Sequence, residues 1–235
     1  MSTRDRPRAL PLSHRRAFVA RHTRLRSVDG VAGIRLHLAD EVEPVWRATE
    51  EATGEDGAPI PFWAFAWAGG LALARYVEEH PETVAGLEVL DMATGSGLVA
   101  LVAARAGASH VNAADIDPFA EAAVRMNAHA NHLHVTFVRR DLLGDHPPAV
   151  DVVLAGDTWY EGPLAGRILP WLHEAADAGT TVLVGDPGRA YLPDPGEGGF
   201  EPLARYDVRT TTTLEDREVV VASVYRVLRS DHPGR

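Results

Sequence analysis

Cysteine and lysine are both absent from the 235 residues. Without cysteine there is no disulfide, no thiolate metal ligand and no cysteine nucleophile. Without lysine there is no Schiff-base mechanism and no phosphate-gripping P-loop lysine. All 23 basic residues are therefore arginine, which reads as a compositional bias of the source rather than as chemistry. Long apolar runs are missing too. No run reaches the ~18 residues a membrane span needs, and no signal-peptide apolar segment opens the chain. A soluble, cytoplasmic protein with no membrane partner is expected. Positive charge is in deficit: the net charge is −10, which disfavours nucleic acid as the main partner. The hydrophobic share of 46% supports a sizeable core, and the length suits one α/β domain with additions.

The N-terminal arm departs from this acidity. From Arg4 to Arg26 there are eight arginines and one acid, Asp5. Such a block reads as a solvated tail, or as an arm that steers an acidic protein partner. We expect a flexible arm over residues 1–17, an extension over 18–80 and a core over 81–230.

The rest of the chain is organised around V-L-D-M-A-T-G-S-G, Val89 to Gly97. Apolar β-formers lead into Asp91, small residues follow, and L-V-A-L-V-A-A-R-A then reads as a helix. Strand, glycine turn and helix open a nucleotide-binding βαβ unit. Gly95 and Gly97 allow a sharp turn and close ligand approach. Two ligands suit this loop. G-S-G-L-V-A (Gly95 to Ala100) fits the G-x-G-x-x-A fingerprint of a dinucleotide, whose pyrophosphate sits on the helix N-terminus. S-adenosylmethionine instead brings a cationic amino acid end, which Asp91 could meet. Asp91 favours the methyl donor. A plain glycine turn without a ligand is the structural alternative.

Taken in order, Phe18 to Val28 is expected as a short helix, Ile34 to Ala39 as a half-buried strand and Pro44 to Ala52 as a helix. In P-F-W-A-F-A-W-A-G-G, Trp63 and Trp67 are four residues apart, one helical face if the helix begins early enough. They are core anchors, or Trp67 closes over a flat ligand. Strands are expected at Leu87 to Asp91, His110 to Ala114, His134 to Val138, Val150 to Ala155 and Thr181 to Gly185, with helices between. Pro170 is expected to kink the helix from Leu164 to Ala178 or delay its start. A terminal hairpin, Leu203 to Thr211 and Glu218 to Leu228, turns at Glu215 and Asp216. The fold class is thus α/β: one doubly wound, Rossmann-like sheet with helices on both faces and an antiparallel edge hairpin.

Asp115 lies 18 residues after Gly97, where nucleotide-binding folds place the acid that bonds ribose hydroxyls. Asp117, before Pro118, reads as a helix cap. Asp141 is either an adenine partner or a turn residue. Gly156-Asp157-Thr158-Trp159-Tyr160 and Asp186 to Arg189 each follow a strand, at the edge where open α/β sheets bind ligands. His129, His132 and His134 do not share one element or converge with a carboxylate, so no metal is expected.

These segments in this order, with R-L-H-L-A-D-E and G-D-P-G-R, resemble the seven-β-strand S-adenosylmethionine methyltransferases. More narrowly, they resemble the lysine methyltransferases of the electron transfer flavoprotein β-subunit. The likeness covers about residues 18–226. It implies S-adenosylmethionine as cofactor. Asp91, Ala93, Gly95 and Gly97 would hold the donor's amino acid end, and Asp115 and Ile116 its ribose. Asp141, Leu142 and Trp67 would surround adenine, and Ala155 would line the pocket. Asp157 and Tyr160, a D-x-x-Y motif, would be catalytic. Trp63, Trp159, Asp186 and Arg189 would bind a protein substrate. Ala93 stands where many relatives have glycine, and alanine fits if its φ is negative. The expected activity is protein-lysine N-methylation. Small-molecule N-methylation, a nicotinamide-dinucleotide oxidoreductase and a non-catalytic binding module are the alternatives.

Overall fold

Alternation builds the sheet. Along Glu88–Met92 (β3), Val152–Gly156 (β6) and Thr181–Asp186 (β7), successive apolar side chains enter opposite layers. Val89, Val152, Leu154 and Leu183 face one core, while Leu90, Val153, Ala155, Val182 and Val184 face the other. The first layer is closed by Ala68–Glu79 (α3) and Leu98–Arg105 (α4), the second by Gly162–Asp177 (α6). A third cluster joins Leu12–His22 (α1), Val42–Thr53 (α2) and Pro118–Ala130 (α5) around Val19, Val45, Trp63 and Phe119. This computed structural model describes residues 10–194, 199–210 and 218–230.

The strand order is β5-β4-β3-β6-β7-β9-β8, with His110–Asp115 (β4), Thr136–Arg139 (β5), Phe200–Arg209 (β8) and Val219–Val227 (β9). The strands β3 to β7 run parallel, and β9 pairs antiparallel with β7 and β8. From β3 the chain winds outward to β5, then returns to place β6 on the other side of β3. That reversal opens a crevice at the carboxyl ends of β3 and β6. The doubly wound sheet with an antiparallel C-terminal hairpin is the expected architecture. The turn residues Glu215 and Asp216 lie outside the described residues.

Differences concentrate in the N-terminal part. The helix expected over Phe18 to Val28 lies earlier, at α1, and Arg24–Ser27 (β1) pairs antiparallel with Arg35–Leu38 (β2) in a separate ribbon. Arg15 explains the shift. It is buried, it pairs with Glu121 at 2.9 Å and it donates to the Pro118 carbonyl. That arginine anchors α1 on α5 rather than decorating a solvated arm. The ribbon is fixed by asparagine side chains of α5 and its C-cap: Asn127 Oδ1 accepts from His37 N at 2.7 Å and Asn131 Oδ1 from Arg35 N at 2.8 Å. Asn127 Nδ2 also donates to the Ser96 carbonyl at 2.9 Å, linking the ribbon to the glycine loop. Pro170 does not delay α6, which runs unbroken from Gly162 while Ile168, Trp171 and Leu172 hold it on the sheet.

Candidate active site

A cavity of about 780 Å³ opens at the carboxyl ends of β3, β4 and β6. Its size lies in the range of small-molecule sites, roughly 300–1,000 Å³. Two halves line it.

On the β3–β4 side, the loop after β3 bends through Ala93 (φ 53°), Gly95 (φ 53°) and Gly97 (φ 82°). Ala93 is therefore left-handed, so the negative φ on which an easy fit for alanine depends is not met. Asp91 is 2% exposed, and its Oδ2 accepts from the Thr94 hydroxyl and from Ala100 N at 3.0 Å. The carboxylate thus caps α4 and ties down the loop. Burial pushes it up to about 7, against those hydrogen bonds. Asp115 ends β4. Its Oδ2 accepts from Gly95 N and its Oδ1 from Asp117 N, each at 2.9 Å. Burial raises its pKa as well. Asp117 is the N-cap of α5, accepting from Phe119 N at 2.7 Å. Beyond Asp115, Ile116 is 69% exposed, an unusual amount for an isoleucine in a cavity wall. Asp141 and Leu142 close this end. Asp141 accepts from Leu143 N at 3.0 Å and from Arg167 Nη2 at 2.8 Å, and Arg167 holds its carboxyl below the usual range.

On the β6–β7 side, three chain segments meet at Asp157. Glycine meets glycine there: a Cβ on Gly69 would stand 2.2 Å from the Gly185 carbonyl oxygen, and one on Gly156 would stand 2.9 Å from Gly70 Cα. The first turn of α3 therefore lies directly on the ends of β6 and β7, and its free N–H groups face Asp157. Gly70 N donates to Asp157 Oδ2 at 2.7 Å, and Arg189 Nη2 to Oδ1 at 2.9 Å. Asp157 N donates to the Gly185 carbonyl at 2.9 Å, with φ at 54°. Such a backbone costs ~1–2 kcal/mol for a non-glycine residue. Burial raises the Asp157 carboxyl to about 7, with the Arg189 charge pulling it down and Asp186 pushing it up. Tyr160 is 41% exposed, and its ring lies 4.9 Å from that of Phe62. Burial lifts its hydroxyl to about 12, so it stays neutral.

The expected site residues divide. Trp67, Asp91, Ala93, Gly95, Asp115, Ile116, Asp141, Leu142, Asp157, Tyr160, Trp63 and Arg189 line the cavity. Trp63 does so from the core. It is 1% exposed, stacked 5.8 Å from Phe119, and belongs to a separate 3₁₀ turn, Phe62–Ala64. It shares no helical face with Trp67, the residue that precedes α3. Trp159 is a correction: it is fully buried against Phe200 in the α6 layer and cannot meet a substrate. Asp186 is also fully buried. Its Oδ1 accepts from Gly188 N and Arg189 N at 2.7 Å, so it shapes the loop. Gly97 and Ala155 are buried behind the cavity wall. No cluster of three or more possible metal ligands exists among the described residues.

Four further residues line the cavity outside the expected set. Phe62 bridges the rings of Trp67 and Tyr160, at 5.4 and 4.9 Å, and its carbonyl accepts from Trp67 Nε1 at 3.1 Å. Gly70, Thr94 and Arg167 are the others. Only the Gly69-Gly70 pair carries a sequence signal, since two glycines opening a helix call for a close packing partner.

Fold and cavity together define a class I methyltransferase. A family model for the ribosomal protein L11 methyltransferase matches residues 72–156. The fold resembles a crystal structure described as a putative RNA methyltransferase from Pyrococcus horikoshii, with TM-score 0.55 and 16% identity over 74% of this chain and 92% of that one. Relatives in sequence are more specific. The electron transfer flavoprotein β-subunit lysine methyltransferase of Xenopus laevis is 34% identical over 213 residues, 89% of this chain and 85% of the relative. The human enzyme of that name is 39% identical over 168 residues, 70% and 64% of the two chains. The chain belongs to the electron transfer flavoprotein β-subunit lysine methyltransferase family.

Proposed function

We propose that this protein transfers a methyl group from S-adenosylmethionine to lysine side chains of an acceptor protein, with the β-subunit of electron transfer flavoprotein as the first candidate. The observation that carries the donor is Asp91 on Ala100 N. A dinucleotide needs the N-terminus of α4 for its pyrophosphate, and a carboxylate already sits there. Asp115 adds a second buried carboxylate beside Gly95. This floor repels a diphosphate and suits a ligand with a cationic amino acid end. The Asp115 carboxylate keeps acceptor capacity for ribose hydroxyls, and the exposed face of Ile116 and Leu142 offer apolar walls for a flat base. When bound, the donor supplies a methyl group on an already cationic sulfur.

The chain's own residues then manage the acceptor. A lysine amine has a reference pKa near ~10.4 and arrives as a cation that cannot attack. Asp157 offers a carboxylate fixed at both oxygens, while Phe62, Trp67 and Tyr160 offer aromatic faces that hold a cation. In this reading Trp67 leaves the adenine role that the resemblance implies and, with Phe62, takes the part that the sequence gives to Trp159. The cavity sheds bulk water from around the nitrogen, and the proton leaves to solvent at its open side. Holding the neutral amine in line is the main task.

The test is incubation of the purified protein with labelled S-adenosylmethionine and electron transfer flavoprotein, followed by mass identification of the labelled residue. Methylated lysine in the β-subunit supports the reading. Calorimetry that showed tighter binding of NAD than of S-adenosylmethionine would remove it.

A further inference from the structure

One buried amide ties the N-terminal ribbon to the glycine loop. Asn127 of α5 is fully buried and bonds in two directions. Its Oδ1 accepts from His37 N of β2 at 2.7 Å, and its Nδ2 donates to the Ser96 carbonyl at 2.9 Å. Asn127 does not line the cavity, and neither does any residue of β1 or β2. Ser96 does, between Gly95 and Gly97.

The loop needs such a tether. Gly95 and Gly97 are both left-handed, and glycine lets the adjoining peptides rotate. The Ser96–Gly97 peptide is held at its N–H by the Thr94 carbonyl, 2.9 Å away within the same turn, and at its oxygen by Asn127. The helix α5 also presses on this turn: a Cβ on Gly97 would stand 3.0 Å from Val124 Cγ2, one helical turn before Asn127. Ser96 is 4% exposed. Without Asn127 Nδ2 its carbonyl would be buried and unpartnered, which is unfavourable. Rotation of the peptide relieves that. It brings the oxygen round to the side of Thr94, in the wall that meets the donor.

Resting on S-adenosylmethionine as the cofactor, we propose that Asn127 is a positioning residue for donor binding, and that through it the N-terminal ribbon is a working part of the donor site. Asn127 acts through Ser96, whose carbonyl it keeps on the core side of the loop. The ribbon sets the direction of the amide. With Oδ1 taken by the His37 N–H, Nδ2 is the end left to face Ser96. A ribbon that lifted away would leave the amide free to turn. Asn131 provides the comparison. It grips the same ribbon, with Oδ1 accepting from Arg35 N at 2.8 Å and Nδ2 donating to the Arg35 carbonyl at 2.6 Å, but its bonds do not reach the loop.

The experiment compares Asn127→Ala and Asn131→Ala by thermal melting, by calorimetry with S-adenosylmethionine and by amide hydrogen exchange at Gly97. Both variants are expected to melt earlier than the wild type. Only Asn127→Ala is expected to bind the donor about tenfold more weakly or worse, the scale of one lost hydrogen bond. Its Gly97 amide is expected to exchange faster by a similar factor, while Asn131→Ala stays near the wild type in both readouts. In methylation assays the loss at Asn127 should fall on the donor KM, with kcat at saturating donor changed far less. Should the alanine variant fail to fold, Asn127→Asp keeps the size and the acceptor for His37 N, and its ionised carboxylate has no donor for Ser96. It is expected to show the same loss. Equal losses of donor affinity in the Asn127 and Asn131 variants, or unchanged affinity or unchanged Gly97 exchange in a folded Asn127 variant, would make Asn127 a structural contact only and overturn the proposal. The exchange measurement needs neither donor nor turnover. A wild type that does not bind S-adenosylmethionine therefore contradicts the donor assignment, while Gly97 exchange still reports on the tether.

Discussion

The two halves of the cavity hold their carboxylates in different ways. On the β3–β4 side, the two acids at the strand ends are satisfied by backbone or side chains close in sequence. Asp91 is served by Thr94 and Ala100, and Asp115 by Asp117 and Gly95, the most distant only 20 residues away. On the β6–β7 side, Asp157 is served by Gly70, 87 residues away, and by Arg189, 32 residues away. On the proposed reading, the two strand-end acids of the donor half belong to one βαβ unit. The acceptor site exists only when α3, β6 and β7 have docked. A family can therefore keep one donor half and vary its acceptors through the other, since loops at strand ends are where α/β folds vary chemistry.

The largest effect that sharpens this contrast is expected at the docking contact. Gly69→Ala puts a methyl group 2.2 Å from the Gly185 carbonyl. Backbone on both sides has no room to yield, so we expect a loss at the top of the overpacking range, about 3 kcal/mol or more. Urea unfolding measures it, and a stable variant with normal turnover would deny that the halves depend on this contact. Asp115→Ala comes next. It is expected to weaken S-adenosylmethionine by about 1.5–3 kcal/mol through lost charge-assisted hydrogen bonds, with turnover at saturating donor and acceptor changed far less. Calorimetry and a methylation assay on one preparation read both.

A third test uses pH. Burial lifts Asp91 from 3.8 to about 7 in the folded protein. Between those values the folded state holds a proton that the unfolded chain has released. Folded stability contributed by this site therefore falls as pH rises from about 4 to about 7. Asp91→Asn removes this term. Its stability relative to the wild type is expected to improve steadily across that window in denaturant titrations, and a pH-independent difference would refute the assigned burial. The smallest effect belongs to Ala93. Its φ of 53° favours glycine. Ala93→Gly is expected to stabilise the protein by about 0.5–1 kcal/mol, since relief of left-handed strain exceeds the added unfolded-state freedom. A lower melting temperature would contradict this.

The same contrast explains what the sequence could disclose. The strand alternation, the glycine turn and the position of Asp115 are local patterns, and the central strands fall within a residue or two of their expected bounds. Asp117 follows its cap pattern for the same reason. Side-chain direction at a loop is not local. Trp159 and Tyr160 are neighbours, yet the first is buried under α6 and the second faces the cavity. The rings that line the cavity beside Tyr160, Phe62 and Trp67, come from a distant part of the chain. Nor does an arginine-rich composition reveal that Arg15 is buried, because its partner Glu121 is 106 residues away. The sign of φ at Ala93 is set by closure of the loop onto Asp91 and Asp115, which residue type alone does not specify.

Asp157 is the residue on which the division of the cavity turns. Asp157→Asn keeps an oxygen for Gly70 N and the size of the side chain, but removes the charge. On one purified preparation, donor affinity by calorimetry and lysine methylation of electron transfer flavoprotein at saturating acceptor should separate. Affinity for S-adenosylmethionine is expected within about twofold of the wild type, and turnover reduced about a hundredfold or more, the scale of a lost positioning or acid–base group. Unchanged turnover, or a collapse of donor affinity with turnover preserved, would contradict the division of the cavity into a donor half and an acceptor half.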